Sequence, residues 1–142
     1  MHSAILDALS ERPEALLRSN MRLVCNAAGG LLPSLAIRIR DLFSCIVLPS
    51  YGMTEAMPIA SPPLNYTLDR SGTSGQSVGP EVAILDGNDR PSPSGTVGQI
   101  CVRGAPVFEG YLGSDGLLDK SAFNADGWFS TCLLYTSPSP RD

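Results

Sequence analysis

Apolar positions in the first fifty residues change period twice. Ala4, Ile5, Ala8 and Leu9 fall on one helical face, and Glu11-Arg12-Pro13-Glu14-Ala15-Leu16-Leu17 follows as a turn or second helix. Met21-Arg22-Leu23-Val24-Cys25 then has the length and composition of a strand and runs into the small-residue loop Asn26-Ala27-Ala28-Gly29-Gly30. Pro33 is placed to open a helix that carries Leu35, Ile39 and Leu42 and closes at Ser44. Cys45-Ile46-Val47-Leu48 is a second apolar run of strand length, bounded by Pro49. Strand, helix and strand joined by short loops predict a parallel α/β unit over residues 1–56.

The pattern then changes. Residues 57–80 are rich in Pro, Ser, Gly and Thr with little periodicity, which predicts a long connecting loop. From Glu81 the signals are β: Val82-Ala83-Ile84-Leu85, a hairpin-type turn at Asp86-Gly87-Asn88-Asp89, and a strand over Thr96–Gly104. Residues 81–131 are thus expected to form a small β-barrel or sandwich beside the α/β part.

Composition narrows the partners. A chain of 142 residues, 43% hydrophobic and 17% charged, is long enough for a real core and reads as globular. Its net charge of −4 and its few aromatics, with no basic stripe between them, argue against nucleic acid. No apolar run reaches the roughly 20 residues that span a bilayer, and the start has no signal-peptide pattern. Cys25, Cys45, Cys101 and Cys132 lie far apart, as suits reduced thiols in an intracellular, cytoplasmic protein better than disulfides or zinc.

The string Ser50-Tyr51-Gly52-Met53-Thr54-Glu55 follows a strand and opens a loop. A threonine hydroxyl can donate to a phosphate oxygen, the neighbouring carboxylate is a hard ligand for magnesium, and Tyr51 offers a flat face to a purine. Chemistry alone favours a plain turn with Thr54 and Glu55 solvated, because so short a string is weak evidence. His2 is the only histidine, so a Ser-His-Asp triad would have to use a terminal residue. Arg103, at a strand end, reads as a solvated charge before it reads as a phosphate ligand. Gly72-Thr73-Ser74-Gly75 lacks the Lys-Ser/Thr ending of a phosphate loop, and Asp115, Asp119 and Asp126 are too scattered to hold calcium.

Tyr51-Gly52-Met53-Thr54-Glu55 resembles a core motif of the adenylate-forming superfamily, which includes acyl-CoA synthetases, peptide-synthetase adenylation domains and beetle luciferases. Other pieces follow in the family's order. His2 resembles the histidine of the acyl pocket; Ala28-Gly29-Gly30 resembles the loop against adenine and the acyl group. Ser77-Val78-Gly79-Pro80 and Val82–Asp86 resemble the start of the barrel, and Gly95–Gly104 with Gly110-Tyr111-Leu112 resembles the next motif. Asp126-Gly127-Trp128-Phe129-Ser130-Thr131 is similar to the lead-in to a ribose-binding aspartate.

The resemblance covers residues 1–131 and implies part of the large α/β domain, with its distorted β-barrel, of an acid–thiol ligase. It implies ATP or AMP, Mg2+ and coenzyme A as cofactors and co-substrates, and a small carboxylic acid or a carrier protein as partner. Ala28, Gly29, Gly30, Tyr51, Gly52 and Thr54 would meet the nucleotide. His2, Gly29 and Met53 would line the acyl pocket, Thr54 and Glu55 would be catalytic, and Glu55 would hold the metal.

Departures from the family pattern bear on activity. Cys132-Leu133 stands where the family continues Gly-Asp, Pro49 stands where many members carry asparagine, and neither the phosphate loop nor the lysine-bearing C-terminal domain is present. Residues 132–142, with two Ser-Pro steps, resemble a reading frame of a transposase-derived sequencing adaptor and are expected to be non-native. Met1 is expected to be an internal methionine, and the chain a truncated, inactive piece of a ligase. The alternative is a non-catalytic nucleotide-binding module.

Overall fold

A proline at the first helical position loses nothing, because its missing N–H would have no partner there. Pro33 accordingly opens α2 (Pro33–Phe43), which ends where Ser44 turns left-handed at φ 49° and Cys45 N–H returns to Arg40 O at 3.3 Å. These features belong to a computed structural model that describes residues 2–27, 29–70, 72–93 and 95–135, without the side chains of 16–18, 134 and 135.

The helix lies between two parallel strands in sequence, β1 (Leu23–Asn26) and β2 (Ile46–Pro49), registered from Leu23 opposite Ile46 to Asn26 opposite Pro49. It buries Ala36 and Ile39, flanked by half-buried Leu35 and Phe43, whereas Leu42, expected on that stripe, is 40% exposed. Positions 35, 36, 39 and 43 form the inward row, and Leu42 falls beside it. Helix α1 (His2–Glu11) also departs from expectation. It buries Leu6, while Ala4, Ile5 and Ala8 are exposed and Leu9 is half-buried. With apolar residues at 4, 5, 6, 8 and 9, periodicity leaves the inward stripe undetermined. A 3-10 helix follows over Pro13–Arg18. Leu6, Ala36, Ile39, Cys45 and Val47 make one core, with Val24 and Leu68 packed against it.

The chain divides into two compact units. One takes in the residues up to Gly52 together with Ala60–Gln76; the other takes in Met53–Ile59 and the chain from Ser77 onward. Strands β3 (Tyr51–Met53), β4 (Ala56–Ser61) and β5 (Gln76–Ser77) each have residues in both. Most of β4 and all of β5 fall within 57–80, which is therefore not a plain loop. Pro58, Pro62 and Pro63 hide the strand in the sequence, yet Ala56 and Ile59 are buried at 1% exposure. Gly75 (φ +82°) lets the loop close, since a Cβ there would collide with the Ser61 and Pro62 backbone.

The second unit carries a three-stranded antiparallel sheet in the order β10-β7-β6, from β6 (Glu81–Leu85), β7 (Gly98–Arg103) and β10 (Phe129–Tyr135). Val102, one residue from the end of the middle strand β7, pairs with both Val82 and Phe129 and is fully buried. The turn after β6 is tied by Asp86, whose carboxylate accepts the N–H groups of Asn88 (2.8 Å) and Arg90 (2.9 Å). Strand β10 runs past Thr131 to Tyr135, with a register shift between Ser130 and Leu134 and Cys132 at φ 58°. Residues 136–142 of the expected tail lie outside the described residues. A short hairpin of β8 (Tyr111–Leu112) and β9 (Leu118–Asp119) completes the unit.

Candidate functional site

Parallel α/β sheets gather ligands at the carboxyl ends of their strands, where loops turn away and backbone groups are free. In the first unit those ends are Asn26 and Pro49, which are register partners. Beside them lies a cavity walled by Asn26, Gly29, Gly30, Ser50, Tyr66 and Thr73. Side chains of Gly29 and Gly30 would have had open space, since nothing lies within 4 Å of a Cβ built on either. The loop leaves that space to the cavity rather than to packing. Ala28 lies outside the described residues.

Asn26 organises this end of the sheet, and sequence reasoning missed it. Its amide nitrogen donates to Gly29 O at 2.6 Å, and its backbone carbonyl accepts Ser50 N–H at 2.8 Å. Its amide oxygen lies 2.9 Å from His2 Nε2. An amide oxygen only accepts, so His2 Nε2 is the donor in this hydrogen bond. Ser50 Oγ in turn meets Ser61 Oγ at 3.0 Å. His2 and Gly29 through its side chain, and Ser50 at the entry to the Ser50–Glu55 string through its backbone, are thereby linked by one residue. An asparagine ending a strand before a small-residue loop was the available signal.

His2 also edges a second, apolar cavity with Ile5, Leu23, Cys25, Ile39 and Phe43. Neither Gly29 nor Met53 lines it. Tyr51 is half-buried, and its hydroxyl is fully covered with no hydrogen-bond partner among the described residues. Gly52 is half-buried and ends the first of the two segments that make up the first unit.

Met53, Thr54 and Glu55 belong to the second unit. Met53 is half-buried in β3, and Thr54 is exposed at the following turn. Glu55 is half-buried: its carbonyl accepts Phe108 N–H at 2.7 Å, and its Oε1 accepts the Tyr111 hydroxyl at 2.9 Å. That hydrogen bond to a carboxylate favours the neutral phenol and raises the Tyr111 pKa above the ordinary tyrosine value. Among the described residues no three His, Cys, Asp or Glu side chains cluster to hold a metal. Magnesium does not need such a cage, because it keeps several waters and takes one or two carboxylates together with substrate phosphates. Glu55, with Thr54 beside it, fits that mode.

The other candidates have structural partners. Arg103 pairs with Glu81 at 2.7 Å, donates to Asp126 O at 3.3 Å and lies 4.4 Å above the Trp128 ring. Its guanidinium is a staple between strand and loop, neither a free phosphate ligand nor simply solvated. Burial raises the thiol pKa of Cys45 and of Cys101, so both stay protonated at neutral pH.

The sequence profile of the AMP-binding enzyme family matches residues 1–112. The chain belongs to the AMP-binding enzyme family. A probable CoA ligase of Humulus lupulus is 35% identical over 133 residues, an alignment covering 92% of this chain and 25% of that protein. An oxalate–CoA ligase of Arabidopsis thaliana is 31% identical over 133 residues, again covering 92% and 25%. The crystal structure of ATP-bound MatB from Rhodopseudomonas palustris superposes with a TM-score of 0.65 at 31% identity, over 80% of this chain and 23% of that one. The mixed α/β fold is that of the large domain of adenylate-forming enzymes, of which this AMP-binding chain carries a part. It spans about a quarter of the length of the curated relatives it matches. Among the described residues no helix is long and apolar enough to cross a membrane.

Proposed function

We propose that this chain is part of a cytoplasmic acid–thiol ligase. The enzyme joins a carboxylic acid to ATP, releases pyrophosphate, and passes the acyl group from the adenylate to the thiol of coenzyme A or of a carrier protein. The observation that carries this reading is the cavity at the carboxyl ends of β1 and β2, walled by Asn26, Gly29, Gly30 and Ser50 immediately before the Tyr51–Glu55 string. Relatives named as CoA ligases favour it over a non-catalytic nucleotide-binding module.

The residues act by positioning and electrostatics, with no covalent nucleophile. Gly29 and Gly30, with Ala28 and Gly52, leave room for the adenine and acyl parts, and Tyr51 supplies a ring beside them. Thr54 donates its hydroxyl to a phosphate oxygen. Glu55 holds magnesium, which when bound offsets negative charge on the phosphates. His2, fixed by Asn26, borders the acyl side. Residues 132–142 are proposed to be foreign to the enzyme.

The test is acid-dependent ATP–pyrophosphate exchange. The protein translated from the complete transcript is expected to exchange label with at least one acid of a varied panel, and Glu55→Gln to slow it at least about 100-fold. The 142-residue chain alone is expected to give no exchange. A complete protein that exchanges with no acid overturns the reading.

A further inference from the structure

We propose that Tyr111 is a positioning residue for Glu55, holding its carboxylate in the orientation that receives a magnesium–nucleotide complex. The inference rests on the ligase reading, which assigns Glu55 to the metal. The two residues are 56 positions apart, yet the Tyr111 hydroxyl donates to Glu55 Oε1 at 2.9 Å. The hydrogen bond occupies one carboxylate oxygen and fixes the side chain's torsions, leaving the other oxygen for a ligand.

The backbone around the pair is fastened on both sides. Phe108 N–H donates to Glu55 O at 2.7 Å, and Ala56 forms an antiparallel bridge with Val107. Gly110, at φ +148°, packs so closely on the Asp119 carbonyl that a Cβ would sit 2.7 Å from its oxygen. That approach joins the start of β8 to β9 and sets where Tyr111 leaves the backbone. The Tyr111 ring then meets Phe108 edge-on at 4.7 Å, and Phe108 continues into Phe123 (5.4 Å) and the buried Phe129 (5.0 Å). A phenol anchored on an aromatic cluster and aimed at one carboxylate oxygen acts as a rigid strut.

Tyr111→Phe keeps the ring and deletes the strut. In the complete enzyme it is expected to weaken Mn2+·ATP binding, followed by electron paramagnetic resonance of free manganese, by about tenfold, the low end for losing an outer partner of a metal ligand. The magnesium concentration giving half-maximal pyrophosphate exchange should rise by a similar factor, while the rate at saturating magnesium stays within about twofold. Leu85→Ala is the control, since Leu85 is buried in β6 of the same unit and lies outside the aromatic cluster that anchors Tyr111. It should lower thermal stability and leave the magnesium dependence unchanged. Equal Mn2+·ATP affinity in Tyr111→Phe and the parent overturns the proposal, as does an equal magnesium shift in Leu85→Ala. Failure of the ligase reading looks different: then neither the parent nor Glu55→Gln shows metal-dependent ATP binding, and the positioning role falls with it.

Discussion

The same residue type has opposite chemistry at different depths in this chain. Cys45 and Cys101 are buried and their thiols are held protonated, while Cys25 and Cys132 are exposed. A disulfide-exchange reagent applied to the folded chain should therefore titrate two cysteines promptly and the other two only after denaturant is added, read by released chromophore. Ile59 has the opposite sensitivity. At 1% exposure it has nowhere to relax, so Ile59→Ala should cost roughly 2–5 kcal/mol, measured as a fall in the urea midpoint at constant slope. Asp86 gives the pH sign. The N–H groups of Arg90 and Asn88 stabilise its ionised form and depress its pKa. Its contribution is thus present above the ordinary aspartate range and lost as pH falls through the depressed value. Asp86→Asn should flatten the acid limb of a melting-temperature profile below about pH 4.

At the scale of elements, the β1-α2-β2 unit was readable because three signals agreed: an apolar run, a proline start and a second apolar run. Both strands lie within two residues of where the sequence put them. Ser44 marks the end of α2, but its left-handed conformation carries a cost that glycine would not. Ser44→Gly should raise stability by about 1 kcal/mol, checked by chemical denaturation. Other features were illegible for physical reasons. The inward stripe of α1 is hidden because its apolar residues cover more than half of its circumference, and β4 is hidden because Pro58 within it and Pro62-Pro63 just after it read as loop. The Tyr51–Glu55 string stood out through family resemblance, whereas the Asn26 and Tyr111 hydrogen bonds join residues 24 and 56 positions apart. No periodicity reports such pairings. Only the folded chain does.

At the scale of the whole chain, β1 pairs only with β2 among the described residues, and parallel pairs ordinarily lie inside larger sheets. Leu23, Ile46, Ile5 and Met21 remain between 36% and 43% exposed. Open strand edges bordered by apolar side chains recruit other chains. The isolated 142-residue chain is therefore expected to self-associate with rising concentration, seen as growth in scattering mass during size-exclusion chromatography.

The chain passes from one unit to the other at Gly52–Met53, returns at Ile59–Ala60 and leaves again at Gln76–Ser77. Because of this weave, no single cut in the gene yields both units whole. A stop after Gly52 would strip the first unit of Leu68 from its core and of Tyr66 and Thr73 from its cavity wall. An expression strategy that treats the α/β part as an N-terminal module would produce a half-built one. To obtain it intact, residues 60–76 must be kept and 53–59 replaced by a short linker, so dissection here is a matter of splicing rather than truncation.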